Sequence, residues 1–286
     1  MKFGVMFANA GPRARPEDAV AMAQDAEAAG FESLWTVEHV VVPAGYESEY
    51  PYSADGRMPG GEDADIPDPL VWLAWVGAVT TTLRLATGIL ILPQRNPVVL
   101  AKELATLDLL SGGRVVLGVG VGWLREEFDA LGVPFEERAA RTDEYVEALR
   151  VLWRDAEPTF RGRFADFDRA KSHPKPAQEG GIPIVVGGHT NAAARRAGRL
   201  GDGFFPGRAT TDDLTPLLDE MRRAAKDAGR DADAIEVTAG GAMDLDGVKR
   251  FAELGVERIV VPPFGWDRES LKTFFGQFHD NVISKL

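Results

Sequence analysis

The 286-residue sequence contains no cysteine, which excludes disulfides, thiolate nucleophiles and cysteine-based zinc or iron–sulfur sites. Only four histidines are present, and no pair of them has metal-ligand spacing. The acid run Glu62-Asp63-Ala64-Asp65 lacks the glycine and the spacing of a calcium loop, and reads as a solvated face. Basic residues are also short: 32 Lys and Arg stand against 44 Asp and Glu, for a net charge of −12. Such a surface repels phosphate backbones, so neither nucleic acid nor an anionic membrane is an expected partner. No run of ~18 apolar residues occurs, and the opening MKFGVMFANAGPR has too short an apolar stretch for a secretory leader. A soluble, cytoplasmic protein is expected. Internal repeats, low-complexity tracts and linkers are missing too, so 1–286 reads as a single domain.

What the sequence does have is alternation. Apolar segments at 2–7, 33–37, 84–92, 114–119, 182–186, 203–205, 235–238 and 258–261 read as strands. Helices are expected from Pro16 to a stop at Gly30, over 69–80, from Pro97 to 110, and over 123–130, 136–153, 191–200, 212–228, 246–254 and 267–282. The last of these places Leu271, Phe274, Phe275, Phe278 and Val282 on one stripe. Strands that are apolar throughout are buried on both faces, which implies a parallel sheet. The pattern predicts an α/β fold, a (β/α)8 TIM barrel, with insertion loops at 43–68 and in a hairpin over 159–167. The loop over 43–68 is far longer than an ordinary connection of ~4–6 residues. It holds three of the four tyrosines, Tyr46, Tyr50 and Tyr52, and so reads as an ordered loop facing a substrate. The helix at 69–80 carries Trp72 and Trp75, which serve the core or a subunit interface equally well.

In such a barrel the site lies at the carboxyl ends of the strands. Strand one is followed by Ala8, Asn9 and Gly11; strand two by Glu38 and His39; strand three by Gln94, Arg95 and Asn96. His39 is the candidate proton carrier, with Glu38 as the acid that could orient it, although neighbouring strand residues point to opposite faces. The competing reading is a histidine satisfied at a strand end. Strand four leads into GVGVGW (118–123) and strand five into Gly187, Gly188 and His189. Glycines between a strand and a helix let backbone N–H groups approach an anion. Either turn alone is equally well a tight connection with nothing bound; two on neighbouring strands favour a phosphate. This is not a dinucleotide fingerprint, because Trp123 occupies the third glycine position.

Taken together, FESLWTVEHVVVP (31–43), the stretch 82–133 with its ATGILILPQRNP and GVGVGW, ERAARTDEYVEALRVLW (137–153) and IPIVVGGHTNAAARRAGRLGDGFFP (182–206) resemble the luciferase-like superfamily, in its coenzyme F420-dependent oxidoreductase branch. The resemblance covers nearly the whole chain. It implies that His39 lies beside the reactive carbon of the cofactor ring, and that Thr87, Gly88 and Ile89 support the back of that ring through a cis peptide at Gly88-Ile89. It also implies that Val121, Gly122 and Trp123, with Gly187 and Gly188, hold the cofactor phosphate, which His189 could also reach. A homodimer formed through the helices after strands two and three is implied as well.

Two departures bear on substrate. Sugar-phosphate dehydrogenases of this superfamily have a catalytic glutamate where this chain has Trp123, and a tryptophan in the loop after the histidine where it has Pro43-Ala44. A less polar, flat small-molecule substrate is therefore expected, and with the acid partner missing His39 is the only obvious proton carrier. The expected activity is hydride transfer between coenzyme F420 and a small organic substrate. The alternatives are an FMN-dependent monooxygenase of a two-component system and a non-catalytic cofactor-binding homologue.

Overall fold

The computed structural model describes residues 1–207, 210–265 and 267–286. Eight parallel strands form the barrel: β1 Lys2–Met6, β2 Ser33–Thr36, β3 Arg84–Thr87, β4 Val115–Gly120, β5 Ile184–Gly187, β6 Gly203–Phe205, β7 Glu236–Gly240 and β8 Arg258–Val261. Each pairs with the next, and Val5 opposite Val261 joins β1 to β8, so the sheet closes into a (β/α)8 barrel. Helices α1 Pro16–Ala28, α2 Pro69–Gly77, α3 Pro97–Ser111, α4 Arg125–Ala130, α5 Arg138–Arg154, α6 Asn191–Leu200, α7 Thr211–Asp227, α8 Leu245–Glu253 and α9 Arg268–Asn281 fill the connections. Among the described residues no helix is long and apolar enough to cross a membrane.

Successive residues of one strand join different clusters, which is why the strand sequences are apolar throughout. Leu34, Leu85, Leu117 and Val186 pack outward with the helices, while Trp35, Ala86, Val116, Val185, Phe205 and Val260 fill the barrel interior. Trp35 is the largest of these; it meets Phe205 edge-on at 5.5 Å and donates from its indole to Ser33 Oγ at 2.8 Å. Gly4 leaves room for it, since a Cβ there would lie 2.8 Å from the indole nitrogen.

The amino-terminal end of the barrel is shut by Arg258. Buried beneath Trp35, it donates to both Glu32 oxygens at 3.0 Å, to Glu236, and to Thr238 Oγ1 at 3.2 Å. That leaves the carboxyl end as the open one.

The elements follow the sequence closely, with differences at their ends. The apolar stretch 84–92 is not one strand: after Thr87 the Gly88-Ile89 peptide is cis, and a short strand, Leu90–Ile91, resumes beside β4. The helix expected from Trp123 starts at Arg125. Residues 159–167 form the expected antiparallel hairpin, pairing Phe160 with Phe167. Between β2 and α2 there is no regular element, as the sequence of 43–68 predicts.

Candidate active site

The carboxyl end of β2 delivers two side chains in opposite directions. Glu38 turns into the wall of the barrel, accepting from the Ile91 amide at 2.5 Å and from Arg95 Nε at 2.9 Å. A second Arg95 nitrogen donates to Glu38 and to Asp68 Oδ2, the latter at 2.6 Å. Asp68 in turn caps α2 through the Leu70 and Val71 amides. One arginine thereby ties the ends of β2 and β3 to the start of α2. Burial pushes the Glu38 carboxyl above its usual range, against the pull of Arg95 and the Ile91 amide. Asp68 lies below its usual range, because Arg95 and the helix amides outweigh its burial.

Glu38 is therefore not the acid that meets His39; it is consumed by Arg95, on the other face of the strand. The carboxylate against the imidazole is Glu127, in the first turn of α4, with Oε2 3.0 Å from His39 Nδ1. Its other oxygen accepts the Val40 amide at 2.6 Å and the Val41 amide at 3.3 Å. Glu127 is fully buried and the His39 side chain is 9% exposed. An acid partner is thus present, although not at the Trp123 position.

Trp123 stands edge-on to the His39 ring at 5.6 Å. Tyr46 and Tyr50 from the long loop lean on the same indole at 5.6 and 5.2 Å. Tyr52 touches Tyr50 at 5.3 Å and the His189 ring at 4.9 Å. The loop is thus an ordered aromatic bridge from the turn after β4 to the turn after β5. Burial pushes the Tyr50 phenol up to about 12 and the Tyr52 phenol in the same direction. Glu126 latches this loop to α4, accepting from the Ser48 hydroxyl at 2.7 Å and from the Glu47 and Ser48 amides. Burial opposes its charge, but these donors hold the carboxyl down at about 2, so the latch is ionised at any ordinary pH. Asn9 pins the bridge's other end, donating to Val37 and Pro67 carbonyls at 2.9 Å. At the same rim Phe7, just past β1, is held at φ 56°, a strained value for a bulky residue.

The glycines of the two turns have reasons of their own. A Cβ at Gly118 would fall 1.9 Å from the Thr87 carbonyl oxygen, and the Thr87 hydroxyl donates to the Gly118 carbonyl at 2.7 Å. Cβ atoms at Gly120 and Gly187 would strike the Ile89 side chain at 2.6 and 2.5 Å. Gly122, at φ 82°, lies against Phe128 and Ile91; Gly188, at φ 123°, lies against Ala193. Packing alone demands glycine at these places, so they do not by themselves argue for a bound anion. What does argue for one is His189, whose Nδ1 is buried with no hydrogen-bond partner. It sits two residues before α6, whose first turn offers amide groups of which Thr190 caps that of Ala193. Gln94, on the turn after β3, also buries both amide atoms without a partner. These unpartnered polar groups, on the turns after β3 and β5, could receive the polar and anionic parts of a bound ligand. Among the described residues there is no cluster of three or more metal-ligating side chains.

Sequence reasoning did not find Glu126 or Glu127. Acids in a first helical turn read as partners of the helix dipole, and nothing local points from Glu127 to a histidine 88 positions away.

Comparison with known proteins gives four results. The model of the family described as luciferase-like monooxygenase matches residues 1–243. A protein of Mycobacterium tuberculosis described only as uncharacterized is 37% identical over 276 residues, 93% of this chain and 95% of that one. The F420-dependent glucose-6-phosphate dehydrogenase of Amycolatopsis mediterranei is 33% identical over 232 residues, 78% of this chain and 64% of that enzyme. Among solved structures, the coenzyme F420-dependent tetrahydromethanopterin reductase of Methanopyrus kandleri shares the fold, with a TM-score of 0.79 at 18% identity over 99% of both chains.

Proposed function

Because the chain belongs to the luciferase-like monooxygenase family, we propose that it is an oxidoreductase moving a hydride between coenzyme F420 and a small, flat organic substrate. The observation that carries the reading is the His39 imidazole, held by Glu127 at 3.0 Å and walled by Trp123. The kinship with an F420-dependent dehydrogenase supports the choice of cofactor. Thr87, Gly88 and Ile89 would back the ring, while Val121, Gly122, Trp123, Gly187, Gly188 and His189 would line the path of its phosphate arm. When bound, F420 supplies the two-electron carrier. The chain's part is to orient, to exclude water beneath the aromatic bridge, and to move a proton at His39.

The substrate expected here differs from that relative's sugar phosphate. Position 123 carries an indole instead of a carboxylate, and among the described residues Arg95 is engaged by Glu38 and Asp68, Arg125 by Glu136, and Arg57 by the Tyr46 carbonyl and ring. Titrating the purified protein with F420 and with FMN, followed by fluorescence, tests the reading. F420 is expected to bind tighter by at least about tenfold, a difference of about 1.4 kcal/mol. Preference for FMN would favour the monooxygenase alternative, and efficient oxidation of glucose 6-phosphate would overturn the substrate class.

The surface supports a homodimer. Trp72 is buried and donates to the Arg13 carbonyl at 2.9 Å, whereas Trp75 on the same helix is 55% exposed. With Val71, Val79, Val99 and Leu110 it is one of several large apolar side chains left exposed on or just beyond α2 and on α3. Sedimentation is expected to give a dimer for the native chain and a monomer for Trp75→Glu; a native monomer would reject the interface.

A further inference from the structure

We infer that Glu127 is a positioning residue that sets the tautomer of His39, placing the proton on Nδ1 and leaving Nε2 as the atom that exchanges protons. This rests on the proposed role of His39, but its geometry stands apart from that role. An ionised carboxylate is acceptor-only. One oxygen of Glu127 is taken by two backbone donors, Val40 at 2.6 Å and Val41 at 3.3 Å, and so cannot turn away. The other oxygen then faces Nδ1 at 3.0 Å, and that short contact requires an N–H on the imidazole. Glu127 is fully buried, so water does not compete for either oxygen. Neutral His39 therefore carries its lone pair on Nε2, and the imidazolium formed when Nε2 takes a proton stands beside a fixed negative charge. The arrangement follows the general logic of a base held by a third group.

The two backbone donors also make a selective variant available. In Glu127→Gln the amide oxygen must stay on Val40 and Val41, because an NH2 group there would face two N–H donors. The NH2 group is then turned onto Nδ1, which has to present a lone pair, and the imidazole proton moves to Nε2. The substitution is nearly isosteric and keeps the loop's backbone bonds, yet it inverts the ring.

The test is two-bond proton–nitrogen correlation on the full chain labelled with 15N-histidine. With only four histidines the spectrum is simple, and His39→Asn identifies the resonances of interest. With the ring neutral, native protein is expected to show a protonated Nδ1 and a bare Nε2, and Glu127→Gln the reverse. Turnover of Glu127→Gln is expected to fall by roughly 10²-fold or more, within the range for a misplaced acid–base group, with the F420 dissociation constant within about twofold of native. Native protein protonated at Nε2, or one tautomer in both proteins, would overturn the inference. Should the variant fail to fold, the native spectrum alone decides. If the tautomer inverts but His39→Asn turns over normally, the positioning stands and the proton-carrier role of His39 falls.

Discussion

His39→Ala is expected to lose turnover by roughly 10²–10⁴-fold, the usual contribution of a placed proton carrier, while binding F420 as the native protein does. The reason lies in what surrounds the ring. Among the described residues, Glu38 is engaged by Arg95 and Glu126 by the loop, while Glu127 is fixed by Val40 and Val41 with its other oxygen on His39 itself. Tyr50 and Tyr52, whose phenols burial pushes upward, make poor bases near neutrality. The site's frame should survive, because Glu127 keeps its Val40 and Val41 donors and the Trp123 wall still rests on Tyr46 and Tyr50, although the Glu127 oxygen that faced Nδ1 loses its partner and some stability is lost with it. Steady-state turnover beside a fluorescence titration of F420 separates the two quantities. Native-like turnover in the variant would remove His39 from the chemistry; lost F420 binding would make it a binding residue instead.

How far the sequence reached is set by the range of the interactions involved. The barrel was legible because each strand is a short apolar run and several helices carry their own start signal, such as Pro97 behind the Asn96 cap. Those are properties of neighbours along the chain. The hairpin at 159–167 and the ordered tyrosine loop were legible for the same reason. The site was only half legible. Adjacent Glu38 and His39 looked like a pair, but strand geometry sends them apart, and each finds its partner on a different element, 57 positions away for Glu38 and 88 for His39. The glycine turns looked like anion cradles, whereas close packing on Thr87, Ile89 and Phe128 already accounts for most of those glycines. The orphaned Nδ1 of His189 that restores the anion argument is a fact of burial, which local sequence does not encode. The ambiguity of the two tryptophans on α2 resolves in the same way: Trp72 reaches a carbonyl inside and Trp75 reaches solvent.

The other large effect concerns Arg95. The Glu38 side chain is 1% exposed and Arg95 is 18% exposed, so their contact is nearly dry. Arg95→Met keeps the aliphatic stem but leaves a buried carboxylate with only the Ile91 amide. Breaking a buried pair from one side costs about 3–5 kcal/mol, and that loss is expected in urea unfolding at neutral pH. Its pH dependence follows from the direction of the Glu38 shift. Burial already holds that carboxyl above the ordinary carboxylate range, and Arg95 is the main opposing influence. Removing Arg95 raises it further, so the folded variant binds a proton that the unfolded chain releases. Stability contributed by a carboxyl raised in this way is present below its unfolded value of about 4.3 and is lost as pH rises through the folded value. The gap between native and variant should therefore narrow as pH falls from 8 toward the ordinary carboxylate range. Adding Glu38→Gln, which still accepts from Ile91 but carries no charge, should recover most of the loss at pH 8 and flatten the pH dependence. A single variant within about 1 kcal/mol of native, the level of an exposed pair, would mean that Arg95 is dispensable. A loss that the double variant fails to recover would place the cost in packing. Because Glu38 immediately precedes His39, the same anchor fixes where the imidazole leaves β2, and the single variant should lose turnover in proportion to how far that strand end loosens.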